Sequence, residues 1–507
     1  MRAFSGGDMK ILFVASELYP FAKTGGLADV VAALTNELCK LGHDVKLVLP
    51  GYPALKKELT SMSESRTTVN IGNILNYNLV YGKLSSTDAD IILVDSDRLY
   101  QKTKIYGGSH HQLFLKFFAL SHAAAKIANG EYDQDWVPDT LHANDWHAGL
   151  SFRILEHLGN RSVNRVFSIH NIAFSGCFPD SYFDQVCEHT GPLSSSLYTK
   201  IREFSFLEEA IRTADKINTV SPNYANEIQA ERFGFGFQRI LKERKRDLSG
   251  ILNGVDYSIW HPEQDRFLPI QNFRFSVKER RNMKRFVQNR YSLPTDDSKI
   301  LCSFTNRMTH QKMVDIIIDT LKRHDLQDFQ FVFHGEGESK FTTALRALSA
   351  RENISYIPGF EEEIEHHLLA AADICLSPSR FEPCGLNALY AMRCGALPLV
   401  RPVGGYRDTI IDEFEAKNKS SGNGFYLPAE SSTALAHSLN RIRSIYRNPD
   451  YWETLVRNAT NSCFSWSDSA KHYLGLYNLA RRKRNTLRNV DQPSKSQHQL
   501  NNRMIAS

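Results

Sequence analysis

The stretch KILFVASELYPFAKTGGLADVVAALTNELCKLGHDVKLVLP, residues 10–50, decides the fold. Ile11-Leu12-Phe13-Val14-Ala15 is a short apolar run. After a loop containing Gly25 and Gly26, residues Leu27, Val30, Val31, Leu34, Leu38 and Leu41 follow the i, i+3, i+4, i+7 spacing of an amphipathic helix. Gly42 ends that helix, Val45-Lys46-Leu47-Val48-Leu49 is the next strand, and Pro50-Gly51 breaks it. Strand, loop, helix and strand in this order predict parallel strands joined by right-handed crossovers. Ile91 to Val94, Thr140 to Ala143, Val166 to Ile169 and Ile217 to Val220 extend the same pattern.

The rhythm restarts after Asn253-Gly254-Val255-Asp256 and a polar, Pro-containing stretch, His261 to Pro269. Ile300 to Phe304, Phe329 to Phe333, Ile354 to Ile357, Ile374 to Ser377, Leu397 to Val400 and Gly424 to Leu427 are apolar runs separated by loops and helical patterns. With 507 residues the chain exceeds one ordinary domain of about 100–250 residues. The expectation is an α/β protein of two Rossmann-like, doubly wound parallel-sheet domains facing each other across a cleft. The first is assigned to residues 1–262 and the second to 263–463. A C-terminal helix, 464–484, crosses back to the first domain, and a disordered polar tail occupies 485–507.

The formal charge of +5 arises from 61 basic and 56 acidic residues, too small an excess to indicate a nucleic-acid or membrane partner. Arg481-Arg482-Lys483-Arg484 reads as a solvated helix end. The eight cysteines are scattered without a C-x-x-C pair, as expected for reduced thiols in a cytoplasmic protein. The run Ile11 to Ala15 is too short for a signal-peptide core or a membrane span, and Met9 is a candidate start with the preceding residues as an upstream extension.

In doubly wound sheets, ligands bind beyond the carboxyl ends of the strands, so the post-strand loops carry the chemistry. Lys23-Thr24-Gly25-Gly26 opens directly onto a helix. It combines a cation, close backbone approach and helix N–H groups, which suits a phosphate; by itself it serves equally as a tight turn. Asn144-Asp145-Trp146-His147 and His170-Asn171 follow two further strands. Asp145 and His170 suit sugar hydroxyls, whereas His142, Asp145 and His147 fit no standard zinc spacing. In the second half, Arg307 and Lys312 lie after the first strand. Pro378-Ser379-Arg380-Phe381-Glu382-Pro383-Cys384-Gly385-Leu386 follows the fourth, with a helix expected from about Pro383. Two cations and the amides of Gly385, Leu386 and Asn387 can stabilise negative charge growing on a diphosphate while Glu382 holds the sugar, a transfer that needs no metal. A plain Lys312–Glu382 or Arg307–Glu382 salt bridge is the alternative.

Lys23 to Val30, Asp145-Trp146-His147-Ala148-Gly149, His170-Asn171, Leu252-Asn253-Gly254-Val255-Asp256 and Ser379 to Leu386 together resemble bacterial glycogen synthase and plant starch synthase, retaining glucosyltransferases of the GT-B fold. The resemblance covers about Met9 to Leu479. It implies transfer of glucose from ADP-glucose to the non-reducing 4-hydroxyl of an α-1,4-glucan (glycogen or a maltooligosaccharide), with retention, release of ADP and no metal or cofactor. By position it implies phosphate contacts for Lys23, Arg307 and Lys312 and glucose contacts for Asp145, His170, Asn253 and Glu382. Cys384, Gly385, Leu386 and Asn387 would begin the phosphate-binding helix. Gly25, Gly26, Asp29, Gly335, Gly337, Gly404 and Gly405 would complete the donor site. The chain departs from the family at Met313 (for Gly), at Asn387-Ala388 (for Thr-Gln) and at Val403 (for Thr). Those changes keep open a paralogue with another donor or acceptor, or a weakly active glucan-binding protein.

Two other enzyme classes fit less well. There is no G-x-G-x-x-G for a dehydrogenase. Asp95-Ser96-Asp97 follows a strand in the D-x-D arrangement of a metal-dependent GT-A transferase, but that fold leaves Arg307, Lys312 and Glu382 without a role.

Overall fold

A computed structural model describes residues 8–60, 67–72, 74–101, 104–190, 203–270, 277–416 and 420–491. They form two compact units. The first holds the described residues through Val220, then Glu227–Ile251 and the chain from Ser467 onward; the second holds Ser221–Asn226 and Leu252–Trp466. The six-residue piece Ser221–Asn226 thus leaves the first half of the sequence to join the second unit.

In the first unit the strands are β1 (Lys10–Val14), β2 (Asp44–Pro50), β3 (Thr67–Ile71), β4 (Leu75–Gly82), β5 (Asp90–Asp95), β6 (Thr140–Asn144), β7 (Asn164–Ile169), the short hairpin β8 (Cys177–Pro179) and β9 (Glu203–Ser205), β10 (Lys216–Thr219) and β11 (Leu248–Gly250). The main sheet runs β11-β10-β7-β6-β1-β2-β5-β4-β3. All six expected strands of this half are present. β1 pairs with β2 and β6 in parallel, Phe13 facing Leu47 on one side and His142 on the other. Ile11 to Val14 are completely buried, so β1 reads as a continuous apolar run instead of alternating.

The sheet is mixed, not wholly parallel. β4 runs antiparallel to β5 and β3 antiparallel to β4. Thr67–Ile71 covers only one face, its buried residues Val69 and Ile71 alternating with exposed ones, and Gly72 turns the chain at φ 53°. That is a hairpin pattern added to the sheet edge.

The second unit contains β12 (Ile300–Thr305), β13 (Phe329–His334), β14 (Ile354–Ile357), β15 (Ile374–Leu376), β16 (Leu397–Val400) and β17 (Phe425–Tyr426), all parallel in the order β14-β13-β12-β15-β16-β17. Strand order reverses between β12 and β15, and between β1 and β6 in the first unit. At each reversal two post-strand loops meet at the carboxyl edge. These are the loops that carry the candidate residues.

The final helix, Trp466–Asp491, packs in the first unit. Tyr477 meets His142 Nδ1 at 2.8 Å and Tyr473 accepts from Asn218 Nδ2 at 3.2 Å. It continues past 484 because Arg, Lys and Leu are good helix formers; the remainder of the expected tail, 492–507, lies outside the described residues, as does most of the N-terminal extension. The basic cluster is only partly solvated. Arg484 is buried on Asp215 at 2.8 Å and Lys483 reaches Asp247 at 2.5 Å. One face of the helix therefore fastens it to the sheet. No helix among the described residues is long and apolar enough to cross a membrane, and all eight cysteines are free thiols.

Candidate active site

In the first unit, the loop after β1 is organised by a residue that the sequence motifs do not single out. Glu17 is buried and accepts hydrogen bonds from Thr24 N at 2.8 Å, Thr24 Oγ1 at 2.7 Å and Gly25 N at 3.2 Å. It also accepts from the Tyr106 hydroxyl. Burial raises its carboxyl above the ordinary range. A carboxylate in the first post-strand loop was the available signal. Lys23 pairs with Asp29 at 2.9 Å and lies 5.2 Å from the Tyr19 ring. The helix Gly26–Lys40 begins immediately, with Gly25 extended at its N-cap.

Asp145, after β6, has φ 55° and ψ 176°, a conformation sparsely populated by residues other than glycine. Its Oδ1 accepts from the backbone N–H of His170 at 2.7 Å and of Asn171 at 3.3 Å, which joins the loops after β6 and β7. Burial pushes the Asp145 carboxyl up to about 7. Burial also pushes His170 down to about 3, so its imidazole is neutral near pH 7. The ring Nε2 faces Asn144 Oδ1 at 2.9 Å, while Asn144 Nδ2 donates to Val14 O at 3.1 Å. The amide orientation makes Nε2–H the donor and leaves Nδ1 as an acceptor. His142 is a core residue held between Tyr477 and Ser168, and His147 stacks on Tyr106 at 4.8 Å. No group of three potential metal ligands occurs among the described residues. Asp95 is engaged by Lys56 at 2.8 Å.

In the second unit, Lys312 and Glu382 come together from the loops after β12 and β15. Lys312 Nζ lies 2.5 Å from Glu382 Oε2, both side chains about nine-tenths buried. The same oxygen accepts from Ser379 Oγ at 2.9 Å and from the Tyr406 hydroxyl at 3.4 Å. The salt bridge anticipated as an alternative therefore exists, and it engages Lys312, not Arg307. Arg307 is exposed, touches Gln311 Oε1 at 3.5 Å and pairs with no carboxylate among the described residues. Gln311 joins the two loops: its carbonyl accepts from Arg380 N at 2.8 Å and its amide donates to Phe381 O at 3.2 Å.

The helix after Glu382 runs Leu386–Arg393, beginning three residues later than expected from Pro383. Gly385 is left-handed at φ 85° and forms the N-cap, and the Pro383 carbonyl is taken by Ser221 Oγ at 2.7 Å. A side chain at Gly385 would lie 2.3 Å from the Tyr406 ring; one at Gly404 would lie 1.7 Å from the Glu382 carbonyl, and one at Gly405 2.0 Å from that of Cys384. These three glycines let the 382–385 and 403–406 segments pack directly on each other. Gly335 and Gly337 do the same against the carbonyls of Asn306 and Met308, each at 2.2 Å from a built Cβ. Burial pushes the Cys384 thiol up to about 12, so it stays protonated. Buried Asn253 lies against Cys384, and its Oδ1 has no hydrogen-bond partner.

Asn387, which stands where the family has Thr, uses its side chain within the domain. Its amide donates to Thr305 Oγ1 at 2.7 Å and Glu365 Oε1 at 3.1 Å, and its oxygen accepts from Cys375 at 3.2 Å. The side chain is turned into the domain, so only its backbone remains available to an anion.

Residues 10–243 match the model of the starch synthase catalytic domain, and residues 286–461 that of glycosyl transferases group 1. The chain is 36% identical over 485 residues to glycogen synthase 1 of Methylococcus capsulatus, spanning 93% of this chain and 97% of that protein. It is 35% identical over 476 residues to glycogen synthase 2 of Nitrosococcus oceani, spanning 92% and 96%. Among solved structures it resembles the catalytic domain of starch synthase IV from Arabidopsis thaliana, with a TM-score of 0.85 at 24% identity over 94% of this chain and 100% of that one. Two Rossmann-like units with these matches define a glycosyltransferase of the GT-B fold. The chain belongs to the glycogen synthase and starch synthase family, and glycogen synthase is its activity.

Proposed function

We propose that the donor is ADP-glucose and that glucose passes to the non-reducing 4-hydroxyl of an α-1,4-glucan with retention of configuration. The observation that carries this reading is the clustering of Lys312, Glu382 and a helix N terminus on the loops after β12 and β15, beside Arg307. As the anomeric bond breaks, negative charge builds on the leaving diphosphate. Exposed Arg307, buried Lys312 and the first-turn amides at Leu386 and Asn387 stabilise it. Glu382, held by Ser379 and Tyr406, favours the positive sugar ring. Donor phosphate competes with Glu382 for Lys312, so binding loosens the resting ion pair. The unpartnered Asn253 Oδ1 is a ready acceptor for a sugar hydroxyl, since a buried carbonyl without a partner is costly. In the first unit, taken by itself, Lys23 is our candidate for a phosphate contact and Asp145 and neutral His170 for contacts with glucose hydroxyls. The Arabidopsis relative was solved with ADP and acarbose bound, consistent with a nucleotide and a glucan-like ligand for this chain.

Purified protein with glycogen and labelled ADP-glucose is expected to incorporate label into α-1,4-linked product. Label from UDP-glucose alone would overturn the donor assignment, and no incorporation from either, with glycogen still bound, would overturn the transfer reading.

A further inference from the structure

The strongest unabsorbed feature lies behind Glu382. Tyr406 is the second residue of the short helix Gly405–Thr409, where its side chain is completely buried with the hydroxyl 2.8 Å from Ser377 Oγ and 3.4 Å from Glu382 Oε2. Asn306 Nδ2 lies 3.3 Å from the same Ser377 oxygen. The Tyr406 ring also fills the space beside Gly385, where even a methyl group would approach within 2.3 Å.

Donor and acceptor chemistry orders these contacts. A carboxylate only accepts, so Tyr406 O–H donates to Glu382. Ser377 O–H is then left to donate to the Tyr406 oxygen, and the Asn306 amide donates to Ser377. Burial holds the phenol well above its ordinary range, which keeps it a neutral donor. The relay reaches Glu382 through buried side chains, and the same ring braces the N-cap of the helix that begins at Leu386.

We infer that Tyr406, set by Ser377 and Asn306, is a positioning residue for the known transfer reaction: it orients the Glu382 carboxylate toward the donor sugar and fixes Gly385 at the start of the phosphate-facing helix. The inference rests on the reading of Glu382 as the sugar-facing carboxylate. Tyr406 touches neither substrate. Removing its hydroxyl alone therefore leaves the phosphate contacts in place but lets Glu382 relax toward Lys312.

Tyr406→Phe retains the ring and tests the hydroxyl. The expected result is a roughly fivefold to tenfold fall in kcat, as for loss of one ordinary hydrogen bond, the contact to Glu382 being long at 3.4 Å, with donor KM and ADP affinity within twofold of the parent. Ser377→Ala should lower kcat in the same direction, and the double variant should be no slower than Tyr406→Phe, because both act through one relay. Glu382→Ala, measured alongside, separates the two levels. If it abolishes transfer while Tyr406→Phe turns over normally, or loses ADP affinity as much as kcat, the inference is overturned and the site reading stands. Near-normal turnover in Glu382→Ala overturns the site reading itself.

Discussion

Met313 adjoins Lys312 and caps the helix Val314–Arg323 in a left-handed conformation, φ 54° and ψ 31°, with its side chain fully buried. Two opposed terms meet at this position. The left-handed backbone costs a residue with a Cβ about 1–2 kcal/mol relative to glycine, whereas removing a buried methionine side chain costs about 2–5 kcal/mol. Met313→Ala suffers the second loss and retains the strain. Met313→Gly suffers a similar packing loss but relieves the strain. Both variants should be less stable than the parent, with glycine the more stable of the pair by about 1 kcal/mol. At an ordinary helical site the order is reversed, alanine exceeding glycine by about 0.5–1 kcal/mol. Urea unfolding followed by tryptophan fluorescence under identical conditions reads the order directly. An alanine variant equal to or more stable than the glycine variant would refute the strain argument, and the Met-for-Gly departure would then need another explanation.

Two further outcomes follow from the first unit. Glu17→Ala removes the common acceptor of Thr24 and Gly25, so initial-rate measurements should show donor KM rising roughly tenfold, the effect of about 1–2 kcal/mol of lost loop order; an unchanged KM would separate Glu17 from the loop's function. His170 has a folded value near 3 against an ordinary 6.5, so the unfolded chain takes up the proton first. Its stabilising contribution is present above about pH 6.5 and is lost as pH falls toward 3. His170→Asn should therefore lose less stability than the parent between pH 7 and pH 5 in urea titrations, and equal losses would contradict a neutral buried imidazole.

Twelve strands were legible because each is a short apolar run, most of them buried on both faces and Ile354–Ile357 only half-buried, and that pattern survives without knowledge of tertiary contacts. The edge pair β3 and β4 was not, since Thr67–Ile71 is polar on one face and its strand character depends on pairing with its neighbour. The Lys23 to Gly26 loop, Lys312 and Glu382 were legible from their positions after strands. Other features depend on contacts distant in sequence. Ser221 and Asn223 meet Pro383 and Gly404 across more than 150 residues, at 2.7 and 3.2 Å. Arg484 was read as solvated because the sequence cannot show that its helix face meets Asp215.

The departures from the family pattern are answered differently by backbone and side chain. At Met313 the backbone is in the left-handed geometry that glycine adopts easily, so the cost of the side chain is strain. At Asn387 the side chain withdraws to Thr305, Glu365 and Cys375, which leaves the helix amides as its contribution to an anion. Val403 carries no hydroxyl, yet three residues on Tyr406 brings one to Glu382 from within the domain. A hydroxyl facing phosphate acts on donor affinity as well as rate, whereas one behind Glu382 acts on rate alone. Relative to a protein with both threonines, the cost of these changes should therefore appear in donor KM as well as kcat in initial-rate measurements, whereas Tyr406→Phe changes kcat alone.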